Sequence, residues 1–435
     1  MTVARRKRLQ WLLALMALFL SAAASCGDIS YIAGDDAETA RFNHEATQAF
    51  LKGTDLAQAI EAGSELLART DDRKRALAIK QLVATLYTFA GRYDKAAQTY
   101  PQFSQATAIA SLSKEQQVPT FADAATTIAA LAKDRRAVFI NENHGASITR
   151  LLPLELLPKL RAEGFQYLAL ETLNHADAPV THGCIGLVDR DLCQRGYALD
   201  SVTTGIYSHD PVYGALIREA ISLGFHLVAY DVFDVADDQA RDAGEARNLA
   251  GIYQNDPSAK MLVVAGFDHI AKEDTNMAIV FRRITQIDPL TIDQAALLGV
   301  DPKLWGPRAD VPLDRASVVS MGGQTLSTRP GAMDVSVYRP PFASDRQRAD
   351  WLTLDGRRVP TPLHRPCTTY PCLLTARHPG EPTSVPEDRV YLDKPGDALL
   401  YLTPGRYTVS VETKGGTNLT NIAVRERSTP LSSTL

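Results

Sequence analysis

Apolar and polar positions change their period several times along the chain. From Asp55 onward, Leu56, Ala59, Ile60, Gly63, Leu66 and Leu67 recur at helical spacing, which predicts an amphipathic helix. A second helix can begin at Asp71-Asp72 and carry Leu77, Val83, Leu86 and Phe89. Gly91 ends it, and Tyr93, Ala96, Ala97 and Tyr100 open a third before Pro101. Residues 27–50 have little pattern and read as a tether. Between 120 and 295, short apolar runs at 137–141, 167–170, 226–230 and 261–265 alternate with helical text at 121–133, 150–163, 211–223, 237–254 and 272–286. Runs without polar alternation suit strands buried on both faces of a parallel sheet. Pro153 fits a first turn, whereas Pro158 should kink its helix. Residues 296–345 are rich in Pro and Gly and offer one strand, at 333–338. Beyond 385, β-rich runs at 389–392, 399–402, 407–411 and 421–424 predict a small β module, read as a sandwich.

The stretch from Phe89 to Tyr100 resembles the turn between two tetratricopeptide helices. Only one or two such units fit before residue 115, and a free solenoid needs about three. The helices therefore read as a small module packed on the next domain. The expected fold class is α/β: a mainly parallel sheet with flanking helices, an N-terminal helical module of tetratricopeptide type and a C-terminal β-sandwich-like module. The expected order is a signal peptide (1–25), a tether and helical module (26–115), an α/β domain bearing the site (116–295), a connecting segment (296–345) and the β module (346–435).

Composition narrows the function classes. With 45% hydrophobic and 22% charged residues, the 435-residue chain is globular and too long for one small domain. A formal net charge of -4 and no basic patch argue against nucleic acid as a partner. Arg5, Arg6, Lys7 and Arg8 precede an apolar run from Trp11 to Leu20 and a small-residue stretch, which is the pattern of a secretory signal. Ala23-Ala24-Ser25-Cys26 resembles a bacterial lipobox, with Ala where Leu is preferred. It implies lipidation of Cys26 and a membrane contact through that anchor. Gly27 stands where an inner-membrane retention signal has Asp, so the resemblance implies the outer membrane of a diderm bacterium. Ordinary cleavage near Ala24 would instead leave a soluble periplasmic protein. Export also suits the other four cysteines, whose simplest pairing is two local disulfides, Cys184 with Cys193 and Cys367 with Cys372.

In open α/β sheets, ligands gather outside the carboxyl ends of the strands. The four runs are followed by Glu142-Asn143-His144-Gly145, by Glu171, by Asp231 and by Gly266-Phe267-Asp268-His269. If the first strand continues, Glu142 and His144 share a face. Glu142, His144, Glu171 and His269 could hold a divalent metal through N and O ligands, leaving a position for water. They could equally run metal-free hydrolysis, with a Glu holding a His that deprotonates water. Tyr230, Asp231 and Asp268 are secondary pocket candidates. Against these stand plainer roles: turn histidines, capping acids, and an Arg241 solvated and paired with Asp237, Asp238 or Glu245. The long insertion between Asn174 and Pro211 holds His175, His182 and His209, which read as exposed loop residues, and Tyr197 and Tyr207; Tyr213 adjoins it. Its length and its cysteine pair suggest a binding loop that covers the pocket and sets substrate choice.

The motifs Glu142-Asn-His144-Gly145, Ala-Leu-Glu171, Tyr230-Asp231, Arg241-Asp242…Ala246-Arg-Asn248 and Gly266-Phe-Asp-His269 follow one another in a familiar order. That order resembles the superfamily joining erythromycin esterases, ChaN-like haem-binding lipoproteins and Tiki/TraB proteins, over roughly residues 125–290. The resemblance implies that His144 or His269 activates water, with Glu142 and Glu171 as carboxylate partners or metal ligands. It makes Arg241 a pocket arginine facing an anionic or carbonyl group. Asn141 departs from the family, which usually has Gly there. The Tiki branch uses metal, the esterase branch does not, and the ChaN branch binds haem, for which a Tyr of the insertion could serve. The reading that follows is an envelope hydrolase of a small-molecule or peptide-like ester or amide. The alternatives are a haem- or iron-binding lipoprotein without turnover and a scaffold with a degenerate site.

Overall fold

The computed structural model describes residues 36–52, 55–100, 118–232, 235–341 and 350–425. The signal segment and Cys26 lie outside the described residues. Four helices come first: α1 (Ala37–Lys52), α2 (Leu56–Ala68), α3 (Arg73–Phe89) and α4 (Tyr93–Thr99). Helix α1 falls in the stretch that reads as a tether. Its Phe42, Ala46 and Ala49 are buried with Ile60, Leu66, Ile79, Val83 and Phe89 of α2 and α3, so the helix is held by packing rather than by a strong sequence period. Asp72 caps α3 by accepting from the Arg75 N–H at 2.7 Å.

A large mixed sheet follows. Its strands are β1 (Thr120–Asp123), β2 (Ala137–Glu142), β3 (Tyr167–Leu170), β4 (Cys184–Ile185), β5 (His226–Val228), β6 (Met261–Gly266), β7 (Leu290–Leu298), β8 (Ser317–Met321), β9 (Gln324–Thr325) and β10 (Val335–Arg339). They are ordered β1-β8-β10-β7-β2-β6-β3-β5-β4, with β9 on β8. From β10 to β4 every pairing is parallel, whereas β8 runs antiparallel to β1, β9 and β10. The sheet thus extends past residue 295. The stretch that reads as a connection supplies β8, β9 and β10, short strands whose Val318, Val319, Val335 and Val337 are buried between Pro- and Gly-rich turns.

Helices α5 (Ala124–Ala132), α6 (Leu151–Ala162), α7 (Leu192–Arg195), α8 (Pro211–Ser222), α9 (Asp238–Asn255) and α10 (Met277–Thr285) complete this part. The lack of alternation in the strands has a direct cause. Val138, Ile140, Leu168, Leu170, Leu262 and Val264 enter one core with α5, α6 and α8. Ala137, Phe139, Ala169, Met261 and Val263 enter another with α9 and α10. Both faces are covered, so both sets of alternating positions are apolar. Helix α6 continues through Pro158, which lies on its exposed side, where a missing N–H costs least.

The C-terminal strands form antiparallel sheets: β11 (Val359–Leu363) with β14 (Ala398–Leu402), and β13 (Asp388–Leu392), β12 (Cys372–Arg377), β15 (Gly405–Thr413) and β16 (Gly416–Val424) in that order. Leu374, Val390, Leu400, Leu402, Tyr407 and Val409 form their common core. The sequence pattern passes over β11, whose Pro360 and Pro362 suit only a strand with little pairing to lose. Disulfides join Cys184 to Cys193 and Cys367 to Cys372, which fits an oxidising, exported compartment. Among the described residues, no helix is long and apolar enough to cross a membrane.

Candidate functional site

The parallel pairings bring the carboxyl ends of β2, β3, β5 and β6 to one edge, and the register places Glu142 opposite Gly266. Two linked clusters form there. In the first, His144 Nδ1 lies 2.9 Å from Glu142 Oε1. Arg150, from the 3-10 turn that leads into α6, donates Nε–H to Glu142 Oε2 at 2.7 Å. The same guanidinium donates to Asp210, which caps α8, and to the His144 carbonyl at 3.3 Å. Glu142, His144, Arg150 and Asp210 are all buried. Burial works against the Glu142 charge, but Arg150 and the hydrogen bond to His144 hold its carboxyl below the usual carboxylate range.

In the second cluster, Arg241 of α9 donates to Glu171 Oε1 at 2.7 Å and to both oxygens of Asp231 at 2.8 Å. Glu171 also accepts from the Gly266 N–H. Burial opposes ionisation of Glu171, yet Arg241, His269, His144 and that N–H bring it down to about 2. His269 lies with Nδ1 2.6 Å from Asp242 Oδ1 and Nε2 3.4 Å from Arg241 Nη1. Burial disfavours charge on both His269 and its neighbour Glu245. It holds Glu245 well above the usual carboxylate range. In His269 it is outweighed by the acids Glu245 and Asp242, and the imidazole is raised to about 10.

Gly266 joins the clusters. A Cβ there would lie 2.7 Å from His144 Nε2 and 3.2 Å from Glu171 Oε2, so only glycine lets ring and carboxylate approach the strand end together. Tyr207 of the insertion stacks on His144, with centroids 4.2 Å apart and planes at 10°. Phe267 meets the imidazole edge-on at 5.4 Å, and Tyr100, just after α4, stacks on Phe267.

The structure therefore gathers Glu142, His144, Glu171, Arg241, Asp231 and His269. Arg241 is buried in the site rather than solvated. Two secondary candidates stand apart. Tyr230 is a core residue whose hydroxyl donates to the Val264 carbonyl at 2.9 Å. Asp268 is exposed and pairs outward with Arg329 at 2.6 Å. Asn141, the departure from the family pattern, points toward β7, where it donates to Asp293 at 2.9 Å and accepts from the Gln294 N–H at 2.8 Å. It braces the sheet beneath the site. His209 is not an exposed loop residue: it is buried, with Nδ1 2.8 Å from Asp200. Sequence reasoning missed Arg150, Asp210 and Glu245 as site residues, and named Tyr207 only as a tyrosine of the covering insertion. A charged residue entering the apolar run of α6 was the only signal for Arg150.

The four residues nominated as a metal set do not fit one. Glu142 is spent on Arg150 and His144, and Glu171 on Arg241 and the Gly266 N–H. Haem does not fit at His144 either, because Tyr207 and Phe267 enclose the ring and its outer edge faces Gly266. Among the described residues, the groups whose ligand atoms lie within 4.8 Å of one another are Glu171, Asp231 and Glu245, and Asp242, Glu245 and His269.

No protein-family model matches the chain, and no curated protein does. Solved structures with some likeness are bacterial toxins and effectors. The type III effector HopBA1 has a TM-score of 0.34 at 15% identity, covering 52% of this chain and 97% of its own. RRSP, a MARTX toxin effector domain from Vibrio vulnificus CMCP6, scores 0.28 at 15% identity, covering 64% of this chain and 62% of its own. Pasteurella multocida toxin, whose C-terminal region has a thiol-protease-like catalytic triad, scores 0.29 at 10% identity, with 95% of this chain and 65% of its own covered. Likeness of this degree transfers neither fold nor activity.

Proposed function

We propose that the chain is an exported hydrolase of the erythromycin-esterase, ChaN and Tiki type, cleaving an ester or amide-like bond in a small-molecule or peptide-like substrate of the cell envelope. The observation that carries this reading is the Glu142–His144 pair. With Nδ1 committed to a carboxylate 2.9 Å away, Nε2 is the nitrogen left to take a proton from water. Glu142 fixes the tautomer and steadies the imidazolium that forms, and Arg150 keeps Glu142 ionised and oriented. Arg241, held by Glu171 and Asp231, supplies positive charge for the oxygen on which negative charge develops. His269 lies beside Arg241 on that side of the site. The insertion covers the pocket, with Tyr207 on the face of His144, and sets substrate choice.

The same proposal includes the signal segment, lipidation of Cys26 and attachment to the outer membrane through that lipid. It reads α1 to α4 as a tetratricopeptide-like module, supported by the packing of α1 to α3 around one core, and the C-terminal sheets as sandwich-like, supported by their common core. The test is a panel of ester and peptide substrates offered to the full chain and to its Glu142→Gln and His144→Asn forms. Hydrolysis by the wild type should fall at least about 100-fold in both variants, the usual worth of a positioned base.

A further inference from the structure

We propose that Asp242, Glu245 and His269 bind one divalent transition cation of the zinc class, beside the hydrolytic pair and independently of it. Asp242 and Glu245 lie three residues apart on α9 and so share a face. His269 reaches them from the 3-10 turn after β6. His269 Nδ1 is 2.6 Å from Asp242 Oδ1 and 3.7 Å from Glu245 Oε2. Tetrahedral zinc with N and O ligands at about 2.0–2.2 Å holds those ligands roughly 3.4 Å apart. All three ligand atoms lie within 4.8 Å of one another, so modest side-chain adjustments would bring them onto one ion. One imidazole and two carboxylates are also the donor types that zinc accepts.

Glu245 provides a second, separate reason. It is fully buried, and neither carboxylate oxygen accepts a hydrogen bond. Buried polar groups in folded proteins almost always have a partner. The Arg241 Nε lies 3.2 Å from Glu245 Oε1, but its N–H is directed to Asp231 at 2.8 Å. Glu245 faces the Asp231 carboxylate on one side and the gap shared with Asp242 and His269 on the other. The neighbouring group of Glu171, Asp231 and Glu245 is not the site, because the Arg241 guanidinium already occupies it. Glu245 closes the proposed site toward the core. The His269 side chain, 15% exposed, leaves a path for the ion and a position for water.

The inference does not rest on the hydrolase reading, since Glu142 and His144 supply no ligand. Its test uses the tag-free full chain, stripped with a chelator and titrated with zinc alone. Calorimetry and metal content after desalting should both give one zinc per chain, and zinc should raise the melting temperature. Glu245→Gln keeps the shape and removes the charge. It should melt at or above the stripped wild type and bind zinc at least tenfold more weakly. Asp242→Asn, at the edge of the site, should repeat that loss, and decides alone should Glu245→Gln fail to fold. A stripped wild type that takes up no stoichiometric zinc overturns the proposal. So does equal zinc affinity in the wild type and a folded variant, which would place the ion elsewhere.

Discussion

Gly266 and His144 approach so closely that a Cβ on the glycine would lie 2.7 Å from Nε2 of the imidazole. The backbone at Gly266, with φ -69° and ψ 143°, is one that any residue adopts. The glycine is thus required by contact and not by conformation. Gly266→Ala should leave the strand intact and push the base and Glu171 off their positions. Displacement of about an ångström costs turnover on the order of 100-fold. The expected result is lost hydrolysis with a melting temperature close to that of the wild type, read by assay and calorimetry on the same sample.

Arg150 stands between two buried carboxylates, Glu142 and Asp210, and is itself fully buried. Arg150→Met would leave both acids without their cation. Breaking a buried pair in this way costs about 3–5 kcal/mol, far more than an exposed pair is worth. Urea unfolding should show that loss, and Arg150→Lys should recover part of it. Since Arg150 also orients Glu142, the Met form should lose hydrolysis even where it remains folded.

Acid stability should depend on Glu387. Burial opposes its ionisation, but Arg358, with Nε 2.9 Å away, and His378 hold its carboxyl at about 2 against an ordinary 4.5. A pKa lowered on folding stabilises above the unfolded value and is lost as pH falls through the folded one. The contribution, on the order of 3 kcal/mol, should be complete above about pH 4.5 and gone near pH 2. Glu387→Gln should be less stable at neutral pH and should show a flatter acid limb in denaturation midpoints measured from pH 6 to pH 2.

Much of this was legible in the sequence, for physical reasons. Unbroken apolar runs mark strands covered on both faces, which is why β2, β3, β5 and β6 and the acids and histidines at their ends could be placed. The cysteine spacing signalled the two disulfides. Other features left no local trace. Helix α1 is stabilised by Phe42 packing against α2 and α3, and β8 is a short strand among turn residues. Arg150 becomes a site residue only because folding brings Asp210 to it from 60 residues away. Tyr207 likewise covers His144 through the path of the insertion. Asp268 looked like a site acid by position, but the turn points it outward to Arg329.

The central claim is that His144, held by Glu142, activates water. The most direct measurement is steady-state hydrolysis across the ester and peptide panel by the wild type and His144→Asn at equal, verified fold. Turnover of at least one substrate by the wild type, reduced about 100-fold or more in the variant, is the predicted result. Hydrolysis that survives the substitution, or no hydrolysis of any panel member by the wild type, would contradict it.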